Sequence, residues 1–139
     1  MQDYCIRATA DQGAIRAFAS TTTQLVEEAR KRHDTLPTAT AALGRLLTAA
    51  GMMGITLKGQ DTLTIRVLGD GPLGAVVATA NADGSVRGYV QEPHTHLPSK
   101  RLGKLDVGTA VGRQGLLHVT KDLGLKEPYT GSVPLVSGE

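Results

Sequence analysis

Residues 62–90, TLTIRVLGDGPLGAVVATANADGSVRGYV, decide the fold. Leu63, Ile65 and Val67 recur at every second position and share one face, which is the spacing of a half-buried β-strand. GDGPLG (69–74) then turns the chain. AVVATA (75–80) is a continuous apolar strand. NADG (81–84) reads as a hairpin turn with its glycine in a left-handed conformation, and SVRGYV (85–90) returns as the next strand. Strands joined by turns this short run antiparallel.

Working outward, QEPHTHLPSK (91–100) reads as a loop, KLDVGTAVG (104–112) as a segment with a short helical turn, and GLLHVTKD (115–122) and GSVPLVSG (131–138) as two further strands, the last centred on Ser132 to Val136. Upstream, TATAALGRLLTAAGMMGITLKG (38–59) changes period. Leu43, Leu46, Leu47 and Ala50 follow helical spacing, and Arg45 is the one charge before Lys58. A helix that is small and apolar nearly all round lies buried against a sheet or another helix. STTTQLVEEARKRH (20–33) precedes it as a second helix. Thr22 or Thr23 is its expected cap, and Lys31, Arg32 and His33 sit where the helix dipole favours positive charge. At the start, YCIRATA (4–10) alternates Tyr4, Ile6 and Ala8 with Cys5, Arg7 and Thr9. With AIRAFAS (14–20) across Asp11-Gln12-Gly13 it makes a hairpin. The order is ββ-αα-βββ-(turn)-ββ without βαβ alternation. This predicts an α+β fold of about seven strands, largely antiparallel, with two main helices inserted after the first hairpin. The 139 residues are read as one domain.

Composition narrows the function. Hydrophobic residues make up 40% and aromatics 3%, with no Trp and one Phe, so both core and exposed apolar surface are aliphatic. A net charge of +2 is too small to argue for nucleic acid. The single cysteine, Cys5, forms no intrachain disulfide and no cysteine-based zinc site, which fits a reducing, cytoplasmic setting. The uncharged run from Leu46 to Leu57 is shorter than the ~20 residues that span a bilayer, so no membrane partner is expected.

Each candidate for chemistry has a plainer reading. His94 and His96, with Glu92, form an H-x-H metal pattern, but no third ligand is signalled and the prolines on either side indicate a solvated loop. GDGPLG lacks the spacing of a phosphate loop and leads into a strand rather than a helix. Cys5 as a nucleophile would need His33 or His118, and nothing in the sequence brings them together. Two basic clusters, Arg30-Lys31-Arg32 and Lys100-Arg101-Lys104, support an alternative as a small nucleic-acid- or anion-binding module, but they lack interleaved aromatics for stacking. No catalytic, cofactor-binding or metal-binding residue is assigned. The expectation is a binding domain and not an enzyme.

Three segments together resemble one family: PTATAALGRLLTAAGMMGITLKG (37–59), GDGPLGAVVATANADGSVRGYV (69–90) and LDVGTAVGRQGLLHVTKDLGLKEPYTGSVPLVSGE (105–139). AIRAFASTTTQLVEEARKRH (14–33) also fits. In this order they are similar to the N-terminal part of the redox-regulated 33-kDa heat-shock chaperones of bacteria, over about Tyr4 to Glu139. The resemblance implies a holdase that binds unfolded client proteins without ATP. It also implies dimerisation on activation and a C-terminal module whose four zinc-binding cysteines form disulfides on oxidation. None of those cysteines maps onto this chain, so the zinc ligands are expected beyond Glu139. The domain is expected to continue past that residue, leaving strand edges and aliphatic surface open to self-association or strand exchange. Client-contact residues are not assigned. Val76, Val77 and Leu135 read equally as core or interface.

Overall fold

The computed structural model describes residues 2–139. Two antiparallel sheets and three helices follow the expected order. β1 (Tyr4–Ala10) and β2 (Ile15–Thr21) pair as a ribbon of their own. Asp11, Gln12 and Gly13 all take positive φ between them, and Gly13, at φ 88°, makes the last of these steps without a side-chain clash. α1 (Thr23–His33) and α2 (Pro37–Gly54) follow. Pro37 suits the first turn of α2, where its missing N–H has no partner to lose.

β3 (Thr62–Gly69), β4 (Ala75–Asn81), β5 (Val86–Val90), β6 (Gly115–Asp122) and β7 (Tyr129–Pro134) form one sheet in the order β5-β4-β3-β6-β7. The short α3 (Val107–Val111) precedes β6. Register places Leu63, Ile65 and Val67 opposite Ala80, Ala78 and Val76 on one side and Lys121, Val119 and Leu117 on the other. This face carries the core. Leu63, Ile65, Val76, Ala78 and Ala80 are buried beneath Leu43, Leu47 and Ala50 of α2. The small residues of α2 permit close approach: a Cβ on Gly54 would sit 2.7 Å from Ala80 Cβ, and one on Gly44 would sit 2.8 Å from Val26 Cγ1 of α1.

Three local expectations are corrected. Thr22 occupies the N-cap position of α1, but its hydroxyl lies 2.7 Å from that of Thr48 on α2 and makes no cap bond. The cap comes from Asp3, whose Oδ2 accepts the Leu25 N–H at 2.8 Å. The last strand begins at Tyr129, ahead of the Ser132 read from the pattern, and ends at Pro134, leaving Val136 exposed. GDGPLG is more than a turn. The N–H groups of Gly71 and Leu73 donate to Val111 O at 2.9 Å and Ala110 O at 3.0 Å, so the loop binds the end of α3. A Cβ on Gly69 would collide with Val111 O.

Candidate functional site

The residues singled out by chemistry do not converge. His94 Nε2 lies 3.1 Å from Asp34 Oδ2, while His96 Nδ1 lies 2.9 Å from the buried Thr38 hydroxyl. The two rings thus serve different partners, and together they strap the 92–97 loop across the connection between the helices. Leu36 N–H donating to Pro93 O adds a third tie. His118 bonds the Ser132 hydroxyl at 2.6 Å on the outer face of the sheet. Cys5 is exposed on the ribbon with its sulfur 3.8 Å from Ile6 O. Among the described residues no group of three His, Cys, Asp or Glu side chains is placed to hold a metal ion. These residues therefore do not fit a zinc site.

The basic clusters are largely neutralised. Arg30 and Lys31 pair with Glu27, Arg32 with Glu28, Lys100 with Asp106 and Lys104 with Glu139. The hydrogen bond from Arg30 holds the Glu27 carboxyl below its ordinary range, and the Arg30 guanidinium is correspondingly raised. Of the two clusters, Arg101 alone has no ion-pair partner among the described residues.

What the fold does assemble is exposed aliphatic surface. Cross-strand partners Tyr4/Thr21, Ile6/Ala19, Ala8/Ala17 and Ala10/Ile15 line one face of the ribbon. The other face carries Cys5, Arg7, Thr9, Arg16, Phe18 and Ser20. Phe18 turns inward, sharing a groove with Ala49, Met52, Met53 and Lys121. On that face Phe18 and Ser20 are partly buried while Cys5, Arg7, Thr9 and Arg16 stay exposed, so the ribbon is anchored at one end only and its apolar face points to solvent. Tyr4, Ile6 and Ile15 are 57%, 55% and 58% exposed. The alternation was legible in YCIRATA; which face points outward depends on where Phe18 docks, and that is a long-range contact.

A second apolar area lies on the helix side of β6 and β7. α2 covers β3 to β5 there but leaves Tyr129 and Val133 exposed, at 70% and 55%. Leu117, Val119 and Leu135 are half-buried beside them. This places the three residues read ambiguously above. Val76 is core, Val77 is half-buried on the opposite face, and Leu135 is half-buried against the core. A third area, a groove of about 840 Å³ between α1 and α2, is lined by Val26, Ala41, Gly44, Thr48 and Met52 with Arg30 and Arg45 at its rim. No helix among the described residues is long and apolar enough to cross a membrane.

These features define a class: an α+β domain with a free-standing amphipathic ribbon, and without a catalytic cluster among its described residues. Residues 3–139 match the family described as Hsp33 protein, and the chain belongs to that family. A protein from Desulforamulus reducens named 33 kDa chaperonin is 68% identical over 139 residues, covering 100% of this chain and 47% of the relative. One from Oceanobacillus iheyensis with the same name is 57% identical, covering 100% and 48%. The chain thus spans about half the length of the curated relatives it matches. The crystal structure of the 33 kDa chaperonin (heat shock protein 33 homolog) from Thermotoga maritima superposes with a TM-score of 0.92 at 40% identity, covering 96% of this chain and 46% of that one.

Proposed function

We propose that this chain is the client-binding part of a holdase-type chaperone and that it captures unfolded polypeptide on exposed aliphatic surface. The observation that carries this is the ribbon, whose face of Tyr4, Ile6, Ile15 and four alanines points into water. A two-stranded ribbon is marginal by itself, and an apolar patch held out on one calls for a partner. The names of the relatives support the reading. Regulation by oxidation of a zinc module is the further part of the proposal. It belongs to residues outside this chain, since Cys5 is a lone thiol here. The same apolar face favours pairing between copies of the chain, and the free cysteine accords with a cytoplasmic setting. The nucleic-acid alternative loses its motive because five of its six cations are already paired.

The test is light scattering from a reporter enzyme held above its unfolding temperature, with and without the chain, under reducing conditions and at two salt concentrations. Suppression that persists at the higher salt is expected, because apolar burial drives it. A folded chain that leaves the scattering unchanged would sink the proposal.

A further inference from the structure

The loop from Glu92 to Leu97 is tied down on two sides. On one, Glu92 N–H donates to Leu73 O at 3.2 Å and Thr95 Oγ1 to Pro72 O at 3.5 Å, both acceptors lying in GDGPLG. On the other, Leu36 N–H donates to Pro93 O at 2.9 Å and His94 Nε2 lies 3.1 Å from Asp34 Oδ2. Thr38, in the first turn of α2, meets both His96 and Leu97. Leu97 is half-buried against the core. The loop therefore keeps an aliphatic contact closed through the hydrogen bonds that hold it.

The Thr38 hydroxyl fixes the protonation of His96. Thr38 is fully buried, and its oxygen makes two hydrogen bonds among the described residues. It accepts the Leu97 N–H at 3.2 Å. Its own proton then has one acceptor in reach, His96 Nδ1 at 2.9 Å. Nδ1 accepts only while it carries no proton, so the ring is neutral with its proton on Nε2. A ring protonated at both nitrogens turns an N–H toward that hydroxyl, and the buried Thr38 proton is left without an acceptor, which is costly. His96 is exposed, so acid reaches it. His94 responds in the opposite sense, because a proton on it turns the contact with Asp34 into an ion pair. The other charged and titratable groups around the loop do not bond His96. His33 ends α1, and Arg30 a turn earlier feels the Asp34 charge. Glu92 opens the loop, Asp70 accepts the Gln114 N–H, and of Lys100 and Arg101 beyond the loop Lys100 pairs with Asp106. The first turn of α2 brings no charge.

We propose that His96 is an acid-released latch on this loop. At neutral pH the bare Nδ1 takes the Thr38 proton and Leu97 stays packed. Acid protonates Nδ1, the bond to Thr38 is lost, and the half of the loop that carries Leu97 lifts from α2. Asp34 meanwhile holds the other half more firmly through His94. One change of pH thus frees one end of the loop and fastens the other, and the exposure of an aliphatic core residue comes to depend on pH. The device concerns the loop alone and is independent of the chaperone reading.

The test is ring-nitrogen NMR and amide hydrogen exchange on the whole chain. At neutral pH the His96 ring nitrogens should show a proton on Nε2 and none on Nδ1. Lowering the pH to about 5.5, across the range where imidazoles ordinarily titrate, should reduce the protection of the Leu97 amide. The expected loss, corrected for the intrinsic exchange rate, is about fivefold, the worth of one hydrogen bond. The Leu36 amide, which bonds Pro93 O, should keep its protection. His96→Asn retains an acceptor near the Nδ1 position and takes up no proton, so Leu97 should stay protected at both pH values. Thr38→Val removes the hydroxyl at similar volume, and Leu97 should be poorly protected at both. His94→Asn should leave the acid response of Leu97 in place. His96→Asn alters an exposed residue, so the latch remains testable if Thr38→Val does not fold. A proton on Nδ1 at neutral pH, Leu97 protection that ignores pH, an acid response that survives His96→Asn, or an equal loss at Leu36 would each overturn the latch.

Discussion

Replacing Ile6 and Ile15 together by serine should weaken client binding about 30-fold and leave the fold intact. Burying an isoleucine side chain fully is worth about 1.5–3 kcal/mol. With 55% and 58% of these two residues open, covering each by a client contributes ~1 kcal/mol. Their joint loss is ~2 kcal/mol, and each 1.4 kcal/mol is a factor of ten. Folding should be spared because both side chains already face water, and exposed substitutions usually stay within about 0.5 kcal/mol. The assay is the concentration of chain giving half-maximal suppression of scattering, read beside a urea melt. Thr9→Ala, on the opposite face of the ribbon, is the control and should change neither. If the double variant melts like the parent and suppresses at the same concentration, the ribbon face is not the client surface.

Gly44→Ala should lower stability, because overpacking against Val26 Cγ1 at 2.8 Å costs about 1–3 kcal/mol and outweighs the ~1 kcal/mol gained in helix propensity; in a Val26→Ala background a urea melt should show that cost removed. Asp3→Ala should cost about 1 kcal/mol through the uncapped Leu25 N–H, with Asp3→Asn retaining most of it, as seen in thermal melts. Burial pushes the Asp106 carboxyl up, but hydrogen bonds from Thr109 and the nearby charge and hydrogen bond of Lys100 outweigh it and hold the group below its ordinary value. Its contribution to stability is therefore complete above the unfolded pKa of about 3.9 and is lost as pH falls through the lower folded value. Acid titration of Asp106→Asn should show a shallower loss over that range.

The element order was legible because each element keeps one period: two in TLTIRVLG, near four in Leu43, Leu47 and Ala50. What was illegible depends on contacts between distant parts of the chain. Thr22 has the chemistry of a cap, but Thr48 lies across the helix interface and takes its hydroxyl, so Asp3 fills the role. The basic cluster at Lys100 to Lys104 reads as a patch only until Asp106 and Glu139 fold onto it. The glycines of GDGPLG suggested anion binding by type, whereas the Gly71 N–H serves Val111 O and the Leu73 N–H serves Ala110 O. The ribbon is the most instructive case. Its alternation was plain, yet the more apolar face would ordinarily be assigned inward, and one aromatic residue, Phe18, reverses that by anchoring the other face in the groove beside Lys121.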